Sequence, residues 1–158
     1  MGTHDASVSQ PDTTEPTRTI AVIAHDGRKA DLLAFATWNR DALARFRLVA
    51  TATTGLLLRQ KVGLAVDTVL SGPMGGDAQI AAMVAEGRVT AVLFFVDPLS
   101  AHPHDPDIRT LLRVCNVHDV PIATNVAAAN LFLTSSLLRE PAQSVDWTGL
   151  RPGDPRGG

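Results

Sequence analysis

The sequence has 158 residues, of which 45% are hydrophobic and 19% are charged, and its formal net charge at pH 7 is −2. This length and balance fit one globular domain with a buried core. The sequence lacks the excess of basic residues that is typical of nucleic-acid-binding proteins. No apolar stretch approaches the roughly 18 residues of a membrane span. The single cysteine, Cys115, excludes a disulfide framework within the chain.

The two ends of the chain differ in composition from its middle. Residues 1–17 are rich in threonine, serine, aspartate and proline, which predicts a disordered N-terminal arm. Residues 144–158 predict a flexible C-terminal tail, in which Trp147 and Leu150 are the apolar exceptions. The N-terminal segment lacks the basic-then-apolar order of a secretory signal, so we expect a cytoplasmic protein. The folded body is therefore predicted at residues 18–143.

Strand-like and helix-like segments alternate along this body. Apolar runs rich in β-favouring residues predict strands at 19–24, 46–52, 66–70, 90–96 and 121–124. Helical spacing predicts helices at 31–38, 54–61, 77–86, 106–117 and 125–133, with Gly87 ending the third of them. The alternation predicts an α/β fold, a doubly wound five-stranded parallel sheet in three αβα layers. The run 90–96 is the most hydrophobic and is expected at the centre of the sheet.

Unusual polar residues follow nearly every predicted strand, at residues 25–29, 51–55, 71–77, 97–107 and 124–125. The carboxyl ends of parallel strands lie along one edge of the sheet, where ligands bind in open α/β folds. We therefore expect these five segments to form one binding site.

The segment Ser71-Gly72-Pro73-Met74-Gly75-Gly76-Asp77 leads from a predicted strand into a predicted helix. Exposed backbone N–H groups at such a junction suit an anion. A tight turn with Asp77 as the helix N-cap explains the same residues equally well.

Small hydroxyl side chains and one ammonium group on these segments suggest a phosphate pocket. The candidates are Lys29, Thr51, Thr53, Thr54, Ser71 and Gly72. Helix capping is the alternative role for the threonines. The glycine-and-lysine motif of a nucleoside triphosphate loop is absent from the sequence.

Carboxylates and imidazoles share the same predicted edge: Asp77, Asp97, Asp105, Asp107, His25 and His104. Beside a phosphate pocket, such groups suit proton transfer next to a carbonyl. Three of these carboxylates also have structural explanations. Asp105 precedes a proline, as the N-cap of a helix would, and Asp107 in the first helical turn would complement the helix dipole. Asp97-Pro98 suits the end of a central strand. His102-x-His104 lacks a third metal ligand at a convincing spacing. Cys115 lies within an apolar helical pattern and is expected in the core.

The combined motifs resemble those of the methylglyoxal synthase family over residues 19–132. The residues that carry the resemblance are Ala24-His25-Asp26-x-x-Lys29, Thr51-x-Thr53-Thr54-Gly55, Ser71 through Asp77, Phe94-Phe95-x-Asp97-Pro98, Pro103-His104-Asp105-Pro106-Asp107 and Thr124-Asn125. The resemblance implies conversion of dihydroxyacetone phosphate to methylglyoxal and inorganic phosphate, without a metal or organic cofactor. It also implies a homohexamer, with phosphate as product and candidate inhibitor.

The resemblance further implies a role for each matching residue. Asp77 corresponds to the general base, and His104 to the group that assists at the carbonyl side. Asp107, His25 and Asp26 correspond to the supporting polar shell, with Asp107 among the catalytic residues. The substrate and phosphate contacts correspond to Lys29, Thr51, Thr53, Thr54, Ser71 and Gly72.

The sequence also departs from the family pattern. Ala52 replaces a glycine between the threonines, and the similarity fades beyond residue 136, where Arg139, Arg151 and Arg156 are the candidates for an extra phosphate or subunit contact. Arg113 suits a subunit contact or simple exposure to solvent. The alternative function is a non-catalytic regulatory module of the same fold, as in carbamoyl-phosphate synthetase, which would bind a phosphate-bearing effector without turnover.

Overall fold

The strands of the sheet form from the predicted apolar runs. A computed structural model describes residues 18–99 and 108–135. Its strands are β1 (Thr19–Ala24), β2 (Arg47–Thr51), β3 (Val66–Val69), β4 (Ala91–Phe95) and β5 (Ile122–Ala123). They form a five-stranded sheet in the order β3-β2-β1-β4-β5, and every neighbouring pair is parallel. The predicted parallel sheet is confirmed. The prediction that the run 90–96 forms the central strand is wrong, since β1 is the middle strand and β4 lies between β1 and β5.

The helices connect and cover these strands. They are α1 (Lys29–Trp38), α2 (Arg40–Leu43), α3 (Ala52–Leu57), α4 (Gly76–Ala85), α5 (Ile108–His118) and α6 (Val126–Thr134). A π-helical segment, Leu58–Val62, extends α3, and short 3₁₀ turns lie at Asp26–Arg28 and Gly72–Met74. The sequence does not predict the four-residue helix α2, because one turn is too short to show a helical period.

The end of α4 confirms the predicted role of Gly87. This glycine has a left-handed φ of 75°, and its amide donates to the carbonyl of Val84 at 3.0 Å. The next amide, of Arg88, donates to the carbonyl of Met83 at 3.0 Å. These two bonds are those of a Schellman motif, which closes a helix with a glycine.

The alternating side chains of the strands build two hydrophobic cores, one on each face of the sheet. Ile20 and Val22 of β1 pack with α1, the π-helical segment and α6, whose buried members include Leu32, Phe35, Leu58 and Leu133. Ala21 and Ile23 point to the opposite face, where α4 and α5 contribute Ile80, Val84, Leu111 and Cys115. Burial of each large apolar side chain contributes about 1.5–3 kcal/mol. The three-layer arrangement is therefore held from both faces.

Cys115 is a core residue, as predicted. Its side chain is fully buried among the second core, and burial raises the pKa of its thiol to about 11. A thiol that stays protonated at neutral pH is a weak nucleophile.

The helices that follow β1 and β4 lie on opposite faces of the sheet, since α1 packs in the first core and α5 in the second. This divergence opens a crevice between the carboxyl ends of the two neighbouring strands. Within residues 18–99 and 108–135, no helix is long and apolar enough to cross a membrane.

Candidate active site

The predicted polar segments that the structure describes lie at one edge of the sheet. Register places Ala24 of β1 beside Phe95 of β4, and Thr51 of β2 beside Val69 of β3. The residues that follow these positions therefore leave the sheet from the same edge. His25, Thr51, Ser71, Asp97 and Asn125 all lie at or just beyond it. Asn125 serves as the N-cap of α6, because its Oδ1 accepts the amide of Ala128 at 2.9 Å.

His25 is held at this edge through both its backbone and its ring. It is buried, its amide donates to the carbonyl of Phe95 at 3.0 Å, and its ring meets the ring of Phe94 edge-on at 5.3 Å. The amide of Asp97 donates to its Nδ1 at 3.0 Å. A backbone amide can only donate, so Nδ1 is the acceptor and the neutral ring carries its proton on Nε2.

Lys29 and Asp26 form an ion pair on the turn that follows His25. The lysine side chain is 18% exposed and the aspartate side chain is 65% exposed. The ammonium is therefore held near the start of α1 by a carboxylate that reaches into solvent. This arrangement brings together two of the residues predicted for the site.

Thr51 and Thr54 are both buried at the start of α3, and their hydroxyl oxygens lie 3.3 Å apart. Thr51 is the N-cap residue, but its side chain makes no capping hydrogen bond to the helix. The structure therefore does not support the alternative in which Thr51 caps the helix. Thr53 is exposed.

The glycine-rich segment makes a 3₁₀ turn from Gly72 to Met74 before α4 begins. The carbonyl of Ser71 accepts the amides of Met74 at 3.0 Å and Gly76 at 2.9 Å. Gly75 has a left-handed φ of 99°, which favours glycine strongly over other residues. The amide of Leu70 donates to the side chain of Gln79 at 2.7 Å, which fastens the loop to α4.

Asp77 is the second residue of α4 and is partly buried. The N-cap is Gly75, and it provides no side-chain cap. The alternative in which Asp77 is the N-cap is therefore wrong, because the left-handed turn at Gly75 starts the helix earlier. The carboxylate instead extends from the first turn of the helix.

His104, Asp105 and Asp107 lie outside the residues that the structure describes, as do His102, Arg139, Arg151 and Arg156. The placement of the predicted His104 and Asp107 beside Asp77 thus stays a prediction. In the described ranges, no group of three or more histidine, cysteine or acidic side chains could hold a metal ion.

A pocket of about 260 Å³ opens at the same edge, between the ends of β4 and β5 and the starts of α1 and α6. Its lining residues are Arg28, Asp31, Phe95, Val96, Pro98, Thr124, Asn125 and Val126. Arg28 and Asp31 form an ion pair of 2.9 Å on its wall. The described members of the predicted phosphate pocket lie outside this lining.

Asp97 makes the contact that sequence reasoning missed. The sequence places Asp97 among the carboxylates of the predicted edge, or simply at the end of a strand, whereas in the structure its amide donates to the ring of His25 and its Oδ1 accepts the amide of Leu99 at 3.1 Å. Its carboxyl group packs on Gly27, where a Cβ would overlap Oδ2 and lie 3.2 Å from Cγ. The Asp97-Pro98 dipeptide was the available signal, since it is typical of a side-chain-stabilised turn.

Comparison with known proteins gives concordant matches. The family model for an MGS-like domain matches residues 31–124. The chain is 58% identical over 114 residues to methylglyoxal synthase of Carboxydothermus hydrogenoformans, covering 72% of this chain and 94% of that protein. It is 54% identical over 116 residues to methylglyoxal synthase of Thermus thermophilus, covering 73% and 92%. The crystal structure of methylglyoxal synthase from Elizabethkingia anophelis NUHP1 superposes with a TM-score of 0.76 at 37% identity, covering 88% and 93%.

Proposed function

The chain belongs to the methylglyoxal synthase family and is an enzyme, and we propose that it converts dihydroxyacetone phosphate to methylglyoxal and inorganic phosphate. One structural observation supports the proposed reaction in addition to the family assignment. Polar residues on five different loops lie at or just beyond the carboxyl edge of one parallel sheet, namely His25, Thr51, Ser71, Asp97 and Asn125. Binding and proton transfer need such convergence.

Asp77 is the general base of the proposed reaction and takes a proton from the hydroxymethyl carbon of the substrate. Its backbone is fixed by the turn at Gly75 and Gly76 and by the start of α4. A base whose backbone is fixed at the start of a helix has a defined position beside the bound substrate, which supports proton abstraction. His104 assists at the carbonyl side and Asp107 supports it, as the family resemblance implies.

The phosphate group is bound by Lys29, by the hydroxyl groups of Thr51, Thr53, Thr54 and Ser71, and by backbone at Gly72. Thr51 and Thr54 are buried and adjacent, so their hydroxyl groups are oriented before the ligand arrives. The Lys29 ammonium supplies the positive charge, and Asp26 fixes its position. Donors that are already placed cost little reorganisation when a dianion binds.

This rigid cradle also explains why the product is methylglyoxal. The enediolate formed by proton removal can be reprotonated or can lose phosphate. Loss of phosphate is favoured when the C–O bond stands out of the enediolate plane and overlaps its π system. Fixed hydroxyl and backbone donors hold the phosphate in that orientation and stabilise the leaving anion.

The assembly and chemistry follow the same family pattern. The proposed enzyme works as a homohexamer, needs no metal or organic cofactor, and is inhibited by its product phosphate. Its proposed location is the cytoplasm.

The proposal is tested by incubating the purified full chain with dihydroxyacetone phosphate in the presence of a metal chelator. We expect methylglyoxal and phosphate in equal amounts. Asp77→Asn is expected to lower turnover by at least about a hundredfold, at the low end of the contribution of a general base. Asp41→Asn is the matched control, since Asp41 is an exposed carboxylate on α2.

Two results would contradict the proposal. Tight binding of phosphate-bearing ligands without either product would favour the regulatory module. A near-normal rate in Asp77→Asn, with both products formed, would overturn the base assignment alone.

A further inference from the structure

The hydrogen bonds between β1 and β4 continue for one step beyond the strands. The amide of His25 donates to the carbonyl of Phe95, as in a regular parallel ladder. In such a ladder, the next bond would run from the amide of Asp97 to the carbonyl of His25. The structure shows a different acceptor at that step.

The ring of His25 takes the place of its own carbonyl group. The carbonyl has turned away and accepts the amide of Arg28 at 2.9 Å, which starts the 3₁₀ turn before α1. The amide of Asp97 donates to ring Nδ1 instead, at 3.0 Å. The sheet therefore ends with an imidazole inserted into its ladder.

A ring contact and burial further restrict the imidazole. Its edge-on contact with Phe94 has an interplanar angle of 87°, and the residue is only 7% exposed. A ring held in this way cannot exchange its two nitrogens without breaking the bond to Asp97. The bond therefore selects the tautomer with the proton on Nε2.

The direction of the Asp97 amide is itself fixed on both sides. The amide of Val96 donates to the carbonyl of Thr124 at 3.2 Å, which ties the preceding peptide to the residue that follows β5. On the other side, Oδ1 of Asp97 accepts the amide of Leu99, which closes a turn around Pro98. Such a turn couples the side chain of Asp97 to its backbone dihedral angles.

We propose that Asp97 is a positioning residue: the turn closed by its side chain holds its amide on Nδ1 of His25, so that the imidazole meets the substrate as an Nε2–H hydrogen-bond donor and not as a proton acceptor. The substrate part of this inference rests on the proposed function. The tautomer part does not, and it can be measured without turnover.

The tautomer is measured by long-range ¹H–¹⁵N correlation spectra of the labelled full chain. The sequence has five histidines, and the ring signals that disappear in His25→Gln belong to His25. We expect a protonated Nε2 and an unprotonated Nδ1 in the wild type. Asp97→Ala, which loses the turn, is expected to give a mixture of tautomers, and Asp97→Asn, whose amide oxygen can still accept from Leu99, is expected to keep the wild-type pattern.

The kinetic readout separates positioning from general structural damage. In Asp97→Ala we expect the KM for dihydroxyacetone phosphate to rise about tenfold while kcat changes by less than about threefold, since one neutral hydrogen bond is weakened. Asp97→Asn is expected within about twofold of the wild type in both constants. Asp41→Ala is the control for loss of a carboxylate elsewhere. If Asp97→Ala does not fold, Asp97→Ser replaces it, and a weaker acceptor in the turn is expected to give an intermediate effect.

Each outcome is decisive. A protonated Nδ1 in the wild type, or unchanged tautomer and KM in Asp97→Ala and Asp97→Ser, would overturn the inference. Equal effects of Asp97→Asn and Asp97→Ala would also overturn it, because the carboxylate charge would then matter and not the turn. If the wild type forms no methylglyoxal but the tautomer shifts as expected, the proposed function fails and the positioning of His25 stands.

Discussion

The α-carbon of Gly76 lies directly against the carbonyl group of Leu70. A Cβ at position 76 would overlap the Leu70 oxygen and would lie 3.1 Å from the carbonyl oxygen of Ser71. The end of β3 and the start of α4 can approach this closely only because no side chain separates them. This approach sets the position from which Asp77 extends.

Gly76→Ala is therefore expected to damage both the fold and the proposed base. The overlap is with backbone atoms, which cannot rotate away, so the loop must move. We expect a loss of unfolding free energy of about 2–4 kcal/mol and a fall in kcat of at least about tenfold. Chemical denaturation and initial rates measure the two effects.

Gly87→Ala is the matched control for this substitution. Gly87 also needs a glycine, because its φ is 75°, but a Cβ there would meet no atom within 4 Å. We expect a loss of about 1 kcal/mol with unchanged kcat, since only the end of α4 is strained. Equal kcat losses in the two variants would show that Gly76 has no specific effect on the site.

The paired hydroxyl groups of Thr51 and Thr54 give a second prediction. Thr51→Val keeps the side-chain volume and removes a buried donor, so we expect the KM for dihydroxyacetone phosphate to rise about tenfold. The stability change is expected to stay near 1 kcal/mol, because the 3.3 Å contact between the hydroxyl groups is long. Thr37→Val, on the exposed face of α1, is the control. An unchanged KM in Thr51→Val would remove Thr51 from the phosphate cradle.

The order of the elements could be predicted from the sequence because apolar runs rich in β-favouring residues alternate with helix-forming segments along the chain. Runs rich in apolar and β-favouring residues predict all five strands, and a glycine with a positive φ ends α4 where expected. Position within the sheet was harder. Hydrophobicity placed the run 90–96 at the centre, but β1 and β4 are both buried on two faces and are indistinguishable by composition.

Local turn geometry limited the prediction of the site. The start of α3 was expected near Thr54, because threonine favours caps, yet the helix begins at Ala52, directly after the last residue of β2. Aspartate also favours caps, but the left-handed turn at Gly75 takes the N-cap position before Asp77. The Asp97-Pro98 dipeptide indicates the turn, but the contact of Asp97 with His25 spans 72 residues and has no local signal.

Cys115 gives a prediction on pH dependence. Burial raises the pKa of its thiol from 9.0 to about 11, so the folded state binds its proton more tightly than the unfolded chain does. This contribution to stability is fully present below about pH 9 and is lost as the pH rises toward about 11. We expect about 2–3 kcal/mol of stability to be lost over that window on account of this group.

Cys115→Ala separates the thiol from the other groups that titrate at high pH. At pH 8 the variant is expected to be less stable than the wild type by about 1–2 kcal/mol, because the shorter side chain leaves a vacated volume. Between pH 9 and 11 its unfolding free energy is expected to fall by less than that of the wild type. Urea unfolding of both proteins at pH 8 and 10 measures the difference. Parallel loss of stability in the two proteins would contradict the assignment of the effect to the thiol.

The ion pair of Lys29 with Asp26 gives the last prediction, which concerns charge at the phosphate cradle. Lys29→Met keeps the length of the side chain and removes the ammonium, so we expect the KM for dihydroxyacetone phosphate to rise at least tenfold. The KM of the wild type is expected to rise with salt more steeply than that of the variant, because salt screens the attraction between the ammonium and the substrate.

Arg47→Met is the matched control for Lys29→Met. Arg47 lies at the start of β2, at the opposite edge of the sheet, where it forms a 2.9 Å ion pair with Asp67. Equal effects of the two substitutions would mean that the Lys29 ammonium acts through net charge and does not contact the substrate.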